Sequence, residues 1–342
     1  MPGLLLVDSG QWTVSGGGRN DRCGWVGYYR GVSERLFPAE WQSGPRYAGG
    51  FTFARCPATR DLSRADVAIV GVPMDMAVMY RSGARFGPRA IRDGSGGLRP
   101  HGLTADELEE PFASLRVIDY GDLTVVPGYL EDSIGKIQAE MAPIIEAGVF
   151  PVVLGGDHST TLPVLRAVAA KHGMLSLVHF DAHPDFWPAR DNKMHHGTVF
   201  RTAVEEGLID PEASVQIGIR GSISEGIIAE TRAAGFHLVT AAEFAHQGVR
   251  ATVEDIQRRA SLPVYVSLDI DSVDPAYAPG TGTPEVAGIT SREIVELVRG
   301  LRGLPLVGFD LVEVAPAYDS SEITALLAAH LVYEFLLALA NK

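Results

Sequence analysis

The chain has 342 residues, 46% hydrophobic and 21% charged, with a formal net charge of −13 and an isoelectric point near 5.2. That acidity argues against nucleic acid or an anionic membrane surface as the main partner. The length allows one large core, and no break in composition divides it into two domains. Two cysteines, Cys23 and Cys56, lack the spacing of a disulfide framework or a zinc site, which predicts a reducing, cytoplasmic setting. The N-terminal MPGLLLVDSG has no basic segment and too short an apolar run for a signal peptide.

Residues 1–60 are rich in Gly, Trp, Tyr and Arg, with weak periodicity. Beyond them, apolar strand patterns alternate with amphipathic helical ones. Strands are expected at 66–72 (DVAIVGV) and 115–121 (LRVIDYG), a helix at 133–148, and a strand at 150–156 (FPVVLGG). A helix at 161–173 then precedes strands at 175–181 (LSLVHFD) and 215–221 (VQIGIRG). Next come a helix at 226–235, a strand at 237–240 (HLVT), a helix at 253–260 and a strand at 264–270 (VYVSLDI). A helix at 291–301 and a strand at 306–314 (LVGFDLVEV) lead to a last apolar helix, TALLAAHLVYEFLLALA. His330 and Glu334 interrupt that run, so it reads as a buried helix or subunit contact rather than a membrane span. The alternation predicts an α/β fold: one domain of three α/β/α layers around a mostly parallel, about eight-stranded sheet. Such sheets bind ligands beyond the carboxyl ends of their strands.

That is where the chemistry-bearing residues fall. Asp181, His183 and Asp185 follow one strand in LVHFDAHPD; Asp269 and Asp271 follow another in YVSLDID. Two-residue spacing puts each set on one face of an extended chain. A third set, GGDHS, presents His158 after a strand, with Gly155 and Gly156 allowing tight turns. Taken singly, GGDHS also reads as a turn and helix cap, and DID as a cap or ion pair. Together the three supply six ligands, four of them carboxylates, and burying those uncompensated would cost several kcal/mol per ion. Two divalent cations neutralise them and lower the pKa of a bound water toward ~7, supplying a nucleophile. Oxygen and imidazole donors without thiolate suit Mn²⁺, with Ni²⁺, Co²⁺ or Fe²⁺ as rivals.

These motifs carry a resemblance. With GGDHS, DAHPD and SLDIDSVDPAYAPGTGTPEVAG, flanked by SGARFGPRAIR (82–92) and GFDLVEVAPAYDSSEITALLAA (308–329), the chain resembles the ureohydrolase (arginase/agmatinase) family. The likeness is greatest to its agmatinase and guanidinobutyrase branch. It implies an arginase-like catalytic domain over 46–342, with residues 1–45 as an irregular arm that serves the substrate pocket or a subunit contact. It also implies His158, Asp181, Asp185 and Asp269 around one Mn²⁺, and His183, Asp181, Asp269 and Asp271 around the other. His196 matches the family's proton-shuttling histidine, with Asp185 as its partner in carrying protons and His195 a bystander. Glu313 matches the glutamate that grips the guanidinium, and Thr283 the threonine that supports it. The implied reaction is hydrolysis of a linear guanidino compound to urea and an amine, agmatine to putrescine being favoured. Rivals are guanidinobutyrate, guanidinopropionate, guanidine, and N-alkylated guanidines or biguanides. A single-metal deacetylase-like hydrolase and a structural subunit of a mixed oligomer are disfavoured, because all six ligands are intact. A homo-oligomer, trimer or hexamer, is implied by the resemblance alone.

The chain departs from the family pattern in DAHPDFW, where Pro184, Phe186 and Trp187 replace small or polar residues. Arginases place an asparagine at the position of Trp187, so arginine is an unfavourable substrate. Trp187 is expected to line an apolar slot or lie against a cation. The loop 187–197 is expected to set specificity together with Trp25, Tyr28, Tyr29, Met79 and Tyr80. Arg190 or Lys193 would favour an acidic tail.

Overall fold

Every apolar run expected to be a strand is one. The computed structural model describes residues 52–99, 102–103, 108–189, 191 and 193–340. The expected arm over 1–45, with Trp25, Tyr28 and Tyr29, lies outside the described residues, as does Arg190. The main-sheet strands are β1 (Val67–Gly71), β2 (Val117–Asp122), β3 (Phe150–Leu154), β4 (Ser176–Phe180), β5 (Val215–Ile219), β6 (His237–Thr240), β7 (Val264–Asp269) and β8 (Leu306–Val312). They form one eight-stranded sheet in the order β2-β1-β3-β8-β7-β4-β5-β6, each pair parallel.

Parallel strands need crossovers, and the crossovers cover both faces. Side-chain alternation along β1 sends Val67 and Ile69 into one hydrophobic cluster, and Ala68 and Val70 into the other. The second cluster is closed by α2 (Leu130–Glu146) through Ile137, Met141 and Ile144, and by α3 (Thr161–His172) through Leu162, Leu165 and Val168. The first is closed by α1 (Gly87–Ser95), by the long helix α6 (Ala241–Arg259), by α7 (Ser291–Arg299) and by α8 (Ile323–Ala340); the shorter α4 (Val199–Glu205) and α5 (Glu225–Ala233) fall between α3 and α6 in the chain. Three layers result, as the strand and helix patterns require.

The expected helix at 253–260 is only the second half of Ala241–Arg259, whose backbone turns at Gly248 with φ 76° and ψ 175°. A Thr240–Glu243 capping box starts it. The terminal helix α8 is long and apolar enough to cross a membrane by length and composition, but 72% of that window is buried inside the fold. The polar interruption in it is an ion-pair site: Glu334 accepts two hydrogen bonds from Arg299 of α7 at 2.7 Å each and lies 3.1 Å from His330 Nε2. This pairing satisfies a glutamate that is 2% exposed.

Candidate active site

Four neighbouring strands at the middle of the sheet, β3, β8, β7 and β4, end on the same side, and each delivers one group. His158 follows β3, Glu313 follows β8, Asp269 ends β7 with Asp271 just beyond it, and Asp181, His183 and Asp185 follow β4. The six expected ligands are thus brought together. His158 Nδ1 lies 3.2 Å from an Asp181 oxygen, 3.0 Å from Asp185 and 3.2 Å from Asp269. On the other side of Asp181, His183 Nδ1 lies 3.4 Å from its second oxygen and 3.2 Å from Asp271. One carboxylate therefore faces both histidines.

The glycines before His158 act differently from expectation. Neither Gly155 nor Gly156 has a positive φ. A Cβ on Gly156 would meet the Met74 carbonyl at 1.7 Å, and one on Gly155 would meet Val312 at 2.5 Å. They are needed for close approach, which draws the His158 turn against its neighbours. The plainer capping readings also hold alongside the site: Asp157 accepts from Ser159 N at 2.9 Å, and Asp269 from Asp271 N at 2.8 Å.

Electrostatics set the problem that the cluster must solve. Asp181, Asp185, Asp269 and Asp271 are all less than 7% exposed. Burial pushes Asp269 well above the usual carboxylate range, and Asp271 and Asp181 beside it push it further. Burial and Asp181 likewise raise Asp271. Burial would raise Asp181 too, but His179, His158 and His183 hold it well below. Burial opposes a charge on His158, yet the three surrounding carboxylates raise it well above an ordinary histidine. The residues fit divalent cations on one observation in particular. His158 Nδ1 is buried, close to three carboxylate oxygens, and aligned for a hydrogen bond with none of them. Nitrogen and oxygen donors separated by about 3 Å are what adjacent ligands with bonds of ~2.1 Å present to one ion.

A second tier was only partly legible. Glu313, 1% exposed and with φ 64°, accepts from His158 N at 2.9 Å and from His196 Nδ1 at 2.8 Å, both through Oε1. Its Oε2 is buried without a hydrogen-bond partner. Burial opposes charging His196, but Glu313 outweighs this and its pKa rises to about 9. The Met79 amide donates to His196 Nε2 at 3.2 Å, a contact that only the neutral ring can keep. Thr283 stands nearby, and its hydroxyl donates to Asp271 at 3.1 Å.

His179 was missed. Its Nε2 lies 2.7 Å from Asp181, and it is fully buried on β4. The signal was present, since 179, 181 and 183 continue the same two-residue spacing. A histidine inside an apolar strand reads first as core.

Above the cluster opens a cavity of about 460 Å³. Its lining takes in His183, Asp185, Asp269, His196 and Thr283, together with Met79, Trp187, Pro188, His195, Gly197, Ser224 and Ile227. Trp187 thus faces the cavity, as expected. Phe186 does not: it is 5% exposed and packs on Phe236 with ring centroids 5.7 Å apart. Tyr80 and Lys193 are not among the lining residues, and no arginine or lysine is, among the described residues. His195 caps the turn that carries His196, accepting from Gly197 N at 3.2 Å.

Comparison with known proteins agrees with this arrangement. The model of the arginase family matches residues 65–338. The chain is 44% identical over 307 residues to a guanidinobutyrase of Pseudomonas aeruginosa, covering 86% of this chain and 94% of that one. It is 45% identical over 297 residues to a mitochondrial agmatinase of Gallus gallus, covering 86% and 87%. Among solved structures, proclavaminate amidinohydrolase from Streptomyces clavuligerus superposes with a TM-score of 0.84 at 43% identity, over 87% of this chain and 99% of that one. With its eight-stranded parallel sheet and its ligand groups at the central strand ends, the chain belongs to the arginase family, as a hydrolase of amidino C–N bonds.

Proposed function

We propose that the enzyme hydrolyses a linear guanidino compound with an uncharged or cationic tail, agmatine first among them, to urea and an amine. Two divalent cations, Mn²⁺ for preference, would be held by His158, Asp181, Asp185 and Asp269 and by His183, Asp181, Asp269 and Asp271. When bound, they supply a nucleophilic water at neutral pH and stabilise negative charge that develops in the reaction.

The chain's own residues do the rest. Glu313 is the guanidinium acceptor, because its buried Oε2 has no partner and Oε1 is shared only with His196 and a backbone amide. A carboxylate accepts two parallel N–H bonds from the planar guanidinium, which fixes its carbon beside the ligand cluster. His196 lines the cavity and holds a proton on Nδ1 against Glu313. From there it can pass a proton to the departing amine, which leaves poorly without one. Thr283 steadies Asp271.

The tail preference rests on the cavity wall. Met79, Trp187, Pro188 and Ile227 are apolar, and no described lysine or arginine joins them to pair a carboxylate. That wall also favours a second reading, an N-alkylguanidine, whose tail would bury against Trp187 and Ile227. The test is urea release from agmatine, butylguanidine, guanidinobutyrate and arginine at equal concentration after reloading with Mn²⁺ or Ni²⁺. The proposal expects agmatine or butylguanidine to lead. Guanidinobutyrate or arginine leading would overturn the tail assignment, and no urea from any of the four would overturn the reaction.

A further inference from the structure

Behind His158 runs a chain of polar groups with no solvent contact and no part in the proposed reaction. His158 Nε2 lies 2.9 Å from Ser267 Oγ, Ser267 Oγ lies 2.6 Å from Asp310 Oδ1, and Tyr265 OH lies 2.6 Å from Asp310 Oδ2. All four residues are at most 1% exposed. Their alignment comes from the sheet. Tyr265 and Ser267 are two apart on β7, so they share a face, and Ser267 is the register partner of Asp310 on β8.

The direction of the hydrogen bonds follows from counting protons. A carboxylate accepts only, so Ser267 and Tyr265 both donate to Asp310. Ser267 has one proton and has spent it on Asp310. Its oxygen can then only accept from His158, which must carry its hydrogen on Nε2. In the neutral ring, the form that can hold a cation, the lone pair is then on Nδ1, the nitrogen facing Asp181, Asp185 and Asp269.

From this we propose that Asp310, acting through Ser267, is a positioning residue that fixes the His158 tautomer and so makes Nδ1 a metal ligand. The proposal rests on the metal-bearing reading of the site above. It explains why a carboxylate is kept buried on β8 at Asp310: an apolar residue there would leave Ser267 free to point its proton at His158. Partners of this kind set both the orientation and the basicity of ligating histidines.

Asp310→Asn keeps the shape and reverses the chain. The amide oxygen must face Tyr265, because otherwise a buried hydroxyl proton loses its acceptor. The amide NH₂ then donates to Ser267, Ser267 donates to His158 Nε2, and the proton moves to Nδ1, where it blocks the ligand. Tyr265→Phe is the control. It removes a hydroxyl from the same carboxylate but leaves the direction from His158 to Asp310 intact.

The experiment loads chelator-stripped wild type, D310N and Y265F with Mn²⁺. Bound metal is counted by mass spectrometry and affinities are read by chelator competition, with the melting temperature of each metal-free protein alongside. Wild type is expected to hold two ions. D310N should keep the ion on the His183 side and bind the other about 10–100-fold more weakly, with its metal-free melting transition retained. Y265F should bind both as wild type does. A wild type that takes up no metal overturns the reading of the site, and this proposal with it. Two tight ions in D310N overturn the proposal alone. So do equal losses in D310N and Y265F, or loss of both ions with the melting transition, since either marks a structural role.

Discussion

His196 and Glu313 meet on one oxygen. His196 Nδ1 donates to Glu313 Oε1 at 2.8 Å, and the other carboxylate oxygen is buried with no hydrogen-bond partner. The guanidinium acceptor is therefore half engaged before substrate arrives, and full bidentate binding draws on the oxygen that His196 now uses. Glu313→Gln keeps the shape and removes the charge. It should lower kcat/KM for the best guanidino substrate by about 10²-fold, the scale of one lost charge-assisted bond of ~1.5–3 kcal/mol. Steady-state urea release checks this, and a loss below threefold would remove Glu313 from the recognition role.

The same relationship separates His196 from Glu313 in kinetics. His196→Ala deletes a proton donor but frees Glu313 Oε1. We expect kcat to fall ~10²–10⁴-fold while KM for the guanidino compound does not rise. A raised KM with unchanged kcat would make His196 a binding residue instead.

Trp187 forms part of the cavity wall with Ile227, Pro188 and Met79. Trp187→Ala should cost butylguanidine about tenfold in kcat/KM, consistent with ~1.5–3 kcal/mol for full burial of an apolar group and only partial contact here. Unsubstituted guanidine, which has no tail to bury, should be unaffected. Equal losses on both would show that Trp187 supports the loop rather than the tail.

How far the sequence led can be seen at individual positions. The strands were legible because Val, Ile and Leu run without break where both faces are covered, as at Val67–Gly71. The ligands were legible because they close those runs at two-residue spacing. Phe186 and Trp187 show the limit: adjacent and both aromatic, one packs on Phe236 and the other lines the cavity. Which way each points depends on the positive φ of 43° at Asp185 and on Trp187 N donating to Gly197 O at 3.0 Å, neither of which composition reveals. Gly156 looked like a turn residue because the carbonyl it must clear belongs to Met74, far away in the chain. The first half of Ala241–Arg259 went unread because Gly248 breaks the helical period there.

Stability should depend on pH through Glu334. Burial would raise its pKa, but His330 and Arg299 bring it down to about 2 from the ordinary 4.5. A folded-state pKa below the unfolded one adds stability that is fully present above pH ~4.5 and is lost as pH falls toward about 2. Glu334→Gln should therefore lower the melting temperature at pH 7 and narrow the gap to wild type as the buffer is taken from pH 5 to pH 3. Differential scanning calorimetry across that window would read it, and a gap that stays constant would contradict the pairing.

The most direct test of the central claim is a metal-reconstituted urea assay. Chelator-stripped protein should release no urea from agmatine or butylguanidine, and activity should return as Mn²⁺ or Ni²⁺ reaches two equivalents per chain. Saturation at one equivalent, or urea release that survives complete metal removal, would contradict the account.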